Sequence, residues 1–152
     1  TVEKAGLSLT FSTDKQPPYM VKADKTKIRQ VINNLIDNSV KYTPKGSISV
    51  TISKKPAQGK ILFAVSDTGI GIDAATLPQL FSKFTRAKDA NKVNVIGTGL
   101  GLYIVKEIIQ GHGGKVWAES AGKDQGSTFY VELIEDSASM HVTRVADFAK
   151  TM

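Results

Sequence analysis

No cysteine occurs among the 152 residues, and histidine occurs only twice, at His112 and His141. The first absence excludes a disulfide framework, thiolate zinc sites and cysteine nucleophiles. The second leaves no imidazole cluster for a metal. No apolar run approaches the ~20 residues of a membrane span. The opening residues, TVEKAGLSLTF, lack a basic start followed by an apolar stretch, so no secretory signal is expected. Blocks of like charge are missing too: 20 Lys and Arg are interspersed with 14 Asp and Glu, for a formal charge of +6. That value merely keeps a surface soluble, so nucleic-acid binding is not expected, whereas a polyanionic small molecule would be attracted. What is present is an ordinary globular composition. Its 41% hydrophobic content is too high for a disordered chain, and the length suits one domain with its own core.

Residues 7–11, LSLTF, alternate apolar and polar and read as a strand. Pro17 and Pro18 break the chain, and YMV at 19–21 reads as a second short strand. Asp24 offers an N-cap to a helix in which Ile28, Val31, Ile32, Leu35, Ile36 and Val40 recur at three- and four-residue steps until Pro44 and Gly46 stop it. SISVTIS (47–53) and KILFAVSD (60–67) form an antiparallel hairpin across Pro56 and Gly59. A short helical stretch around 73–81 leads to residues 85–98, polar and without period, which read as a loop. A helix from about 99 to 110 carries Leu100, Ile104, Val105 and Ile108, and KVWAES (115–120) with STFYVEL (127–133) closes a last hairpin across Gly122–Gly126. Residues 135–152 are weakly amphipathic and read as a terminal helix or a tail. The sum is an α+β two-layer sandwich, a mixed and mostly antiparallel sheet with helices on one face, in which residues 1–134 form the domain.

Three features carry chemistry. In the helix NNLIDNSVKYT (33–43), a step of about 100° per residue gathers Asn34, Asn38 and Lys41 into a stripe bordering the apolar face, while Asn33 and Asp37 point to solvent. Such amides either bond neighbouring backbone or hold a cation or phosphate. Asp67-Thr68-Gly69-Ile70-Gly71 follows an apolar strand; a carboxylate there can accept from an exocyclic amine, or the glycines can simply form a tight turn. The same run reads as GxGxxA with Ala74, but its strand belongs to a hairpin instead of a βαβ unit, which argues against a Rossmann site. Gly97-Thr98-Gly99-Leu100-Gly101-Leu102 opens onto an amphipathic helix, whose free N–H groups can cradle a phosphate or whose glycines can serve as a hinge. It is no Walker A loop.

Taken in order along the chain, these features resemble the catalytic ATP-binding domain of sensor histidine kinases, within the superfamily of gyrase-type topoisomerases, mismatch-repair ATPases and heat-shock chaperones. NLIDNSVKYTPKG resembles its N box, DTGIGI its first glycine box, LFSKFTR its F box and GTGLGL its second glycine box; the likeness runs from about Leu7 to Leu133. The resemblance implies a Bergerat-type fold and binding of ATP with Mg²⁺. Asn38 would hold the metal, Lys41 a phosphate, and Tyr42 would pack on base or ribose. Asp67 would take the adenine amino group, with Thr128 supporting it through water, and Gly69 and Gly71 would line the pocket. Residues 85–98 would be the lid, with Arg86 near the γ-phosphate and Gly97, Thr98, Gly99, Leu100, Gly101 and Leu102 around the phosphates. Phe81 and Phe84 would anchor the lid by packing, and Ser82 and Thr85 depart from the residues often found in the F box. His112 would be a helix-end residue and not the phosphoacceptor.

Hydrolysing relatives carry a Glu where this chain has Asn34. An amide cannot act as general base on water, so slow hydrolysis is expected, leaving Asn34, with Asn38, Lys41 and Arg86, to serve transfer. The implied activity is transfer of the γ-phosphoryl group to a histidine on a separate dimerisation domain, which this chain does not contain, and onward to a response regulator. The implied setting is the cytoplasmic part of a larger sensor, monomeric by itself and without membrane contact of its own. The competing expectations are a serine kinase of the anti-sigma-factor type and a nucleotide-binding docking module without turnover.

Overall fold

The computed structural model describes residues 6–83, 99–136 and the pair 143–144. Strand β1 (Leu7–Thr13) is followed by a two-residue strand, β2 (Met20–Val21), and by the helix α1 (Lys25–Lys41). Then come β3 (Gly46–Lys55), β4 (Lys60–Asp67), a 3₁₀ turn at Leu77–Gln79, the helix α2 (Gly101–Gly111), β5 (Lys115–Glu119), β6 (Ser127–Ile134) and β7 (Thr143–Arg144). The main sheet has the order β1-β3-β4-β6-β5. Only β1 and β3 run parallel, Leu7 lying beside Gly46 and Thr13 beside Ile52. A parallel pair needs a crossover between its strands, and α1 supplies it. The other pairs of this sheet are antiparallel, β3–β4 and β5–β6 as the two hairpins in the sequence required, and β4–β6 where the hairpins meet.

Alternation decides which side of the sheet is covered. Ile48, Val50 and Ile52 on β3, Ile61, Phe63 and Val65 on β4, and Phe129, Val131 and Leu133 on β6 are buried on the face that receives α1 and α2. Helix α1 forms where expected. Asp24 caps it, its Oδ1 accepting from the Lys27 N–H at 3.1 Å, and Ile28, Val31, Ile32, Leu35 and Ile36 are buried. In α2 the buried residues are Val105 and Ile109, with Leu102, Ile104 and Ile108 half-buried. Ile109 and Val105 are thus the deepest contacts, because a helix reading LYIVKEII is apolar nearly all round and only packing against α1 and β5 selects its inner edge.

The stretch expected to be helical around 73–81 is a 3₁₀ turn. Asp73 caps it through Thr76, and Leu80 is buried beneath it. Phe81 packs edge-on against Phe129, with ring centroids 6.3 Å apart, while the segment it was expected to anchor lies outside the described residues. The chain beyond β6 contributes β7, which pairs with β2 as Val21 beside Thr143 and Met20 beside Arg144. Among the described residues, no helix is long and apolar enough to cross a membrane.

Candidate nucleotide site

The Asn/Lys stripe, the glycine turn after β4 and the start of α2 are distant in sequence, and the fold brings them together at one end of the sheet. Asn34 and Asn38 are half-buried at the edge of α1, Lys41 is exposed in its last turn, and Asn33 and Asp37 face solvent, as the helical spacing required. Asn34 Nδ2 donates to the Gly101 carbonyl at 3.3 Å, tying α1 to the first residue of α2. At the end of α1, the Tyr42 N–H caps the Asn38 and Val40 carbonyls, and the Tyr42 carbonyl accepts from the Ile70 N–H at 3.0 Å. The N box thus holds the glycine turn directly.

That turn is clamped from its other side as well. Ile70 accepts from the Asp124 N–H at 2.8 Å and Gly69 from the Gly126 N–H at 3.2 Å. Ser120 Oγ accepts from the Ile72 N–H at 2.9 Å and donates to the Gly126 carbonyl at 2.7 Å. A Cβ on Gly69 would lie 2.1 Å from the Tyr42 carbonyl, and one on Gly71, whose φ is +73°, would lie 2.0 Å from the Gly122 carbonyl. Packing between α1 and the β5–β6 turn is by itself sufficient reason for both glycines.

Asp67 is the buried charge of the site, 6% exposed. Its Oδ1 accepts from the Gly69 N–H and its Oδ2 from Ser127 Oγ, both at 2.9 Å. Burial pushes its carboxyl above the ordinary carboxylate range, opposed by these hydrogen bonds. Each carboxylate oxygen keeps a lone pair for a further donor.

Thr128 does not take the place expected of it. Asp67 stands opposite Ser127, and Thr128 stands opposite Ser66, to which it is hydrogen-bonded at 2.9 Å on the other face of the sheet. Ser127, which the motif reading passed over, supports Asp67 directly. Its signal lay in parity: Ser127 shares a face with the apolar Phe129, Val131 and Leu133.

The N-terminus of α2 fits an anionic ligand. Its first N–H groups have no intrahelical partners by position, and Leu100, at the cap position, has no side-chain acceptor to offer them. Gly99, at φ +74°, turns the chain into it, Leu100 is its N-cap residue, and Leu102 packs against the core. Gly101 differs from the clamped glycines: among the described residues a Cβ there would meet nothing within 4 Å, so their packing does not require glycine. Arg86, Gly97, Thr98 and Phe84, together with the 85–98 segment, lie outside the described residues. His112 is engaged at the far end of α2. The Ile108 carbonyl, 2.7 Å from Nδ1, can only accept, and the Asp24 N–H, 3.1 Å from Nε2, can only donate, so Nδ1 carries the proton and the ring joins the ends of two helices.

Comparison with known proteins gives the same placement. Residues 23–137 match the family described as histidine kinase-, DNA gyrase B- and HSP90-like ATPases. The sensor histidine kinase WalK of Bacillus subtilis is 38% identical over 118 residues, which make up 76% of this chain and 19% of that protein. Among solved structures, the catalytic domain of the histidine kinase ThkA superimposes with a TM-score of 0.71 at 32% identity, covering 86% of this chain and 81% of that one. Full-length ShkA in complex with AMPPNP gives a TM-score of 0.75 at 29% identity, covering 90% of this chain and 27% of that one. A buried carboxylate locked to a glycine turn, and a helix start tied to a stripe of amides, are therefore not an isolated likeness, and the chain belongs to the histidine kinase-, DNA gyrase B- and HSP90-like ATPase family as an ATP-binding catalytic domain of the histidine-kinase type.

Proposed function

We propose that this domain binds Mg·ATP and delivers the γ-phosphoryl group to a histidine carried on a separate helical dimerisation domain, from which it passes to an aspartate of a response regulator. The observation that carries the reading is Asp67, a buried carboxylate with spare acceptor capacity, fixed between Gly69 and Ser127. An acceptor fixed in that way selects a base presenting an amine. The donor set also fits the rest of the ligand. The start of α2, where Leu100 offers no side-chain acceptor, and the space that the described residues leave over Gly101 suit phosphate oxygens, and the half-buried Asn38 offers a side-chain oxygen to a hard cation.

Each residue then has a task. Asp67 would hold the base, Tyr42 would pack beside base or ribose, and Lys41 would reach a phosphate from the last turn of α1. Asn38 would hold Mg²⁺, whose contribution when bound is neutralisation of phosphate charge. Asn34, through Gly101, would keep the amide stripe and the phosphate-binding helix start in register. Arg86 and the residues up to Thr98 would close over the phosphates. The amide of Asn34 supplies no general base to water, and an incoming neutral imidazole needs none, since it is itself the nucleophile. Positioning and charge neutralisation then carry the rate.

The test is a mixing experiment. This chain, Mg·ATP labelled at the γ-position and a purified helical domain bearing the acceptor histidine should give acid-labile, base-stable label on that domain. Acid-stable label would indicate a hydroxyl acceptor and the serine-kinase reading. Saturable nucleotide binding with no transfer to any acceptor would indicate a docking module.

A further inference from the structure

The side of the sheet turned away from α1 and α2 has no task in the account above. Because Phe129, Val131 and Leu133 turn toward the helices, Tyr130, Glu132 and Ile134 on β6 turn outward. Register sets three lysines and a tryptophan on the same face. Lys115 and Trp117 on β5 stand beside Glu132 and Tyr130, Lys60 on β4 beside Ile134, and Lys55 on β3 beside Lys60. The rings of Trp117 and Tyr130 are stacked, with centroids 5.1 Å apart and 16° between their planes. The Lys55 and Lys115 ammonium groups stand 5.8 Å and 5.9 Å from the indole centroid, and Lys55 also bonds Glu132 at 2.9 Å. The Glu132 carboxyl, 8% exposed, is held below its usual range chiefly by that hydrogen bond, with the charges of Lys60 and Lys115 adding to it. Among the described residues, Ile134, 52% exposed, is the one large apolar side chain that lies in the open.

We propose that this outer face, centred on Trp117, Tyr130 and Ile134 and rimmed by Lys55, Lys60 and Lys115, docks an acidic segment of a partner protein. Charge names the occupant. Three lysines surround one carboxylate, which Lys55 already engages, so the patch is left positive. A second copy of this chain, itself at +6, would be repelled. Composition then selects a protein among polyanions. Amphipathic rings and an aliphatic side chain at the centre, with charge at the rim, are the make-up of a protein interface. A nucleic acid needs open ring faces on which bases stack, whereas the indole here is taken up by Tyr130 and two ammonium groups. An anionic membrane needs a broader apolar surface than one exposed isoleucine. The patch is also set before a partner arrives. Stacking, the cation–ring contacts and the Lys55–Glu132 bond hold its side chains, so docking costs little of their freedom. The face lies across the sheet from the helices that frame the nucleotide site, and the proposal does not depend on the nucleotide reading.

Trp117 is the single tryptophan of the chain, so its emission reads the patch directly. Titration with the tryptophan-free acidic peptide DEDFDELDED should shift or quench that emission to saturation. The amide counterpart NQNFNQLNQN, equal in length and apolar content, should bind about 10-fold more weakly, the combined worth of a few exposed ion pairs. Lys60→Glu/Lys115→Glu, which leaves the Lys55–Glu132 bond in place, should weaken the acidic peptide by about 10-fold or more and the amide peptide little. Ile134→Ser, a change at an exposed position, should weaken both peptides alike, by several-fold. Unchanged Mg·ATP affinity in each variant would show that the domain is intact and that the two faces are independent. An ordinary solvated sheet face predicts no saturation with either peptide, and that result overturns the proposal. So do equal affinities for the two peptides, or an affinity for the acidic peptide that the double variant leaves unaltered. Tighter binding of single-stranded DNA or of phosphatidylglycerol vesicles than of the acidic peptide also overturns it, in favour of that other polyanion. Failure of the unaltered chain to bind Mg·ATP would instead overturn the nucleotide reading and leave this one standing.

Discussion

Substitution of Gly101 separates what the fold needs from what the ligand needs. Gly101 is the first residue of α2, outside the left-handed region, and among the described residues a methyl group there meets nothing within 4 Å. Gly→Ala at a compatible position stabilises by about 0.4–1 kcal/mol, chiefly by restricting the unfolded chain, which for a domain of this size raises Tm by about 1–4 °C. The same methyl group would stand where a phosphate must approach the first N–H groups of α2. Losing one charge-assisted hydrogen bond costs about 2 kcal/mol, or roughly a 30-fold weaker Kd. At a nucleotide concentration of about 100 Kd, the unaltered chain gains about 2.7 kcal/mol on binding and Gly101→Ala only about 0.9 kcal/mol at the same concentration. In a thermal scan those gains become shifts of about 5–11 °C and 2–4 °C. The signs are opposed: the variant should melt higher without Mg·ATP and respond less to it. An equal nucleotide shift in both proteins would refute the phosphate role of this helix start, and a lower Tm without nucleotide would refute the reading that packing leaves position 101 open.

Asp67→Asn should raise the thermal stability of the nucleotide-free domain at neutral pH, because the folded-state pKa of Asp67 lies above its unfolded value and ionising it opposes folding. The sign follows: this contribution to stability is present below the unfolded pKa and is lost as pH rises toward the folded one, so the gain should vanish in acid, and thermal scans at several pH values check it. The same variant should bind ATP about 10–100-fold more weakly, the worth of a hydrogen bond to a charged group, and GTP with less change, as competition titrations would show. Asn38→Ala should remove the dependence of ATP affinity on Mg²⁺, so that titrations with and without chelator coincide. Asn34→Glu, which exchanges an amide for a possible general base, should raise the rate of phosphate release from ATP, read by a coupled phosphate assay; an unchanged rate would remove this explanation of slow hydrolysis.

The elements were legible because each announces itself locally. The α1 stripe, the Asp24 cap and the two hairpins follow from periodicity and turn chemistry, and the Gly-rich start of α2 from its spacing. Local signals failed where two readings of one segment are equally good. Nothing in LYIVKEII says that Ile109 is buried more deeply than Ile104 and Ile108, because all three would satisfy a helix. In GSTFYVEL, a motif points to the threonine, whereas register against β4 gives the serine to Asp67. The pairing of Thr143–Arg144 with Met20–Val21 joins residues too far apart for any local pattern to link.

The amino-acid order by itself determined which groups were available: amides and a lysine at helical spacing, one carboxylate ahead of two glycines, and a helix start without a side-chain cap. It did so because i, i+3 and i+4 spacing, capping and turn preference act over a few residues. Only the tertiary structure decided which of these groups met. It set Ser127 against Asp67, turned Thr128 to the other face, and laid Asn34 on the Gly101 carbonyl. It also buried Ser39 and Thr43 beside a charge that neither neighbours in sequence. Those outcomes depend on strand register and on the close approach of two helices, and shifting a strand by one residue would reverse every assignment on it.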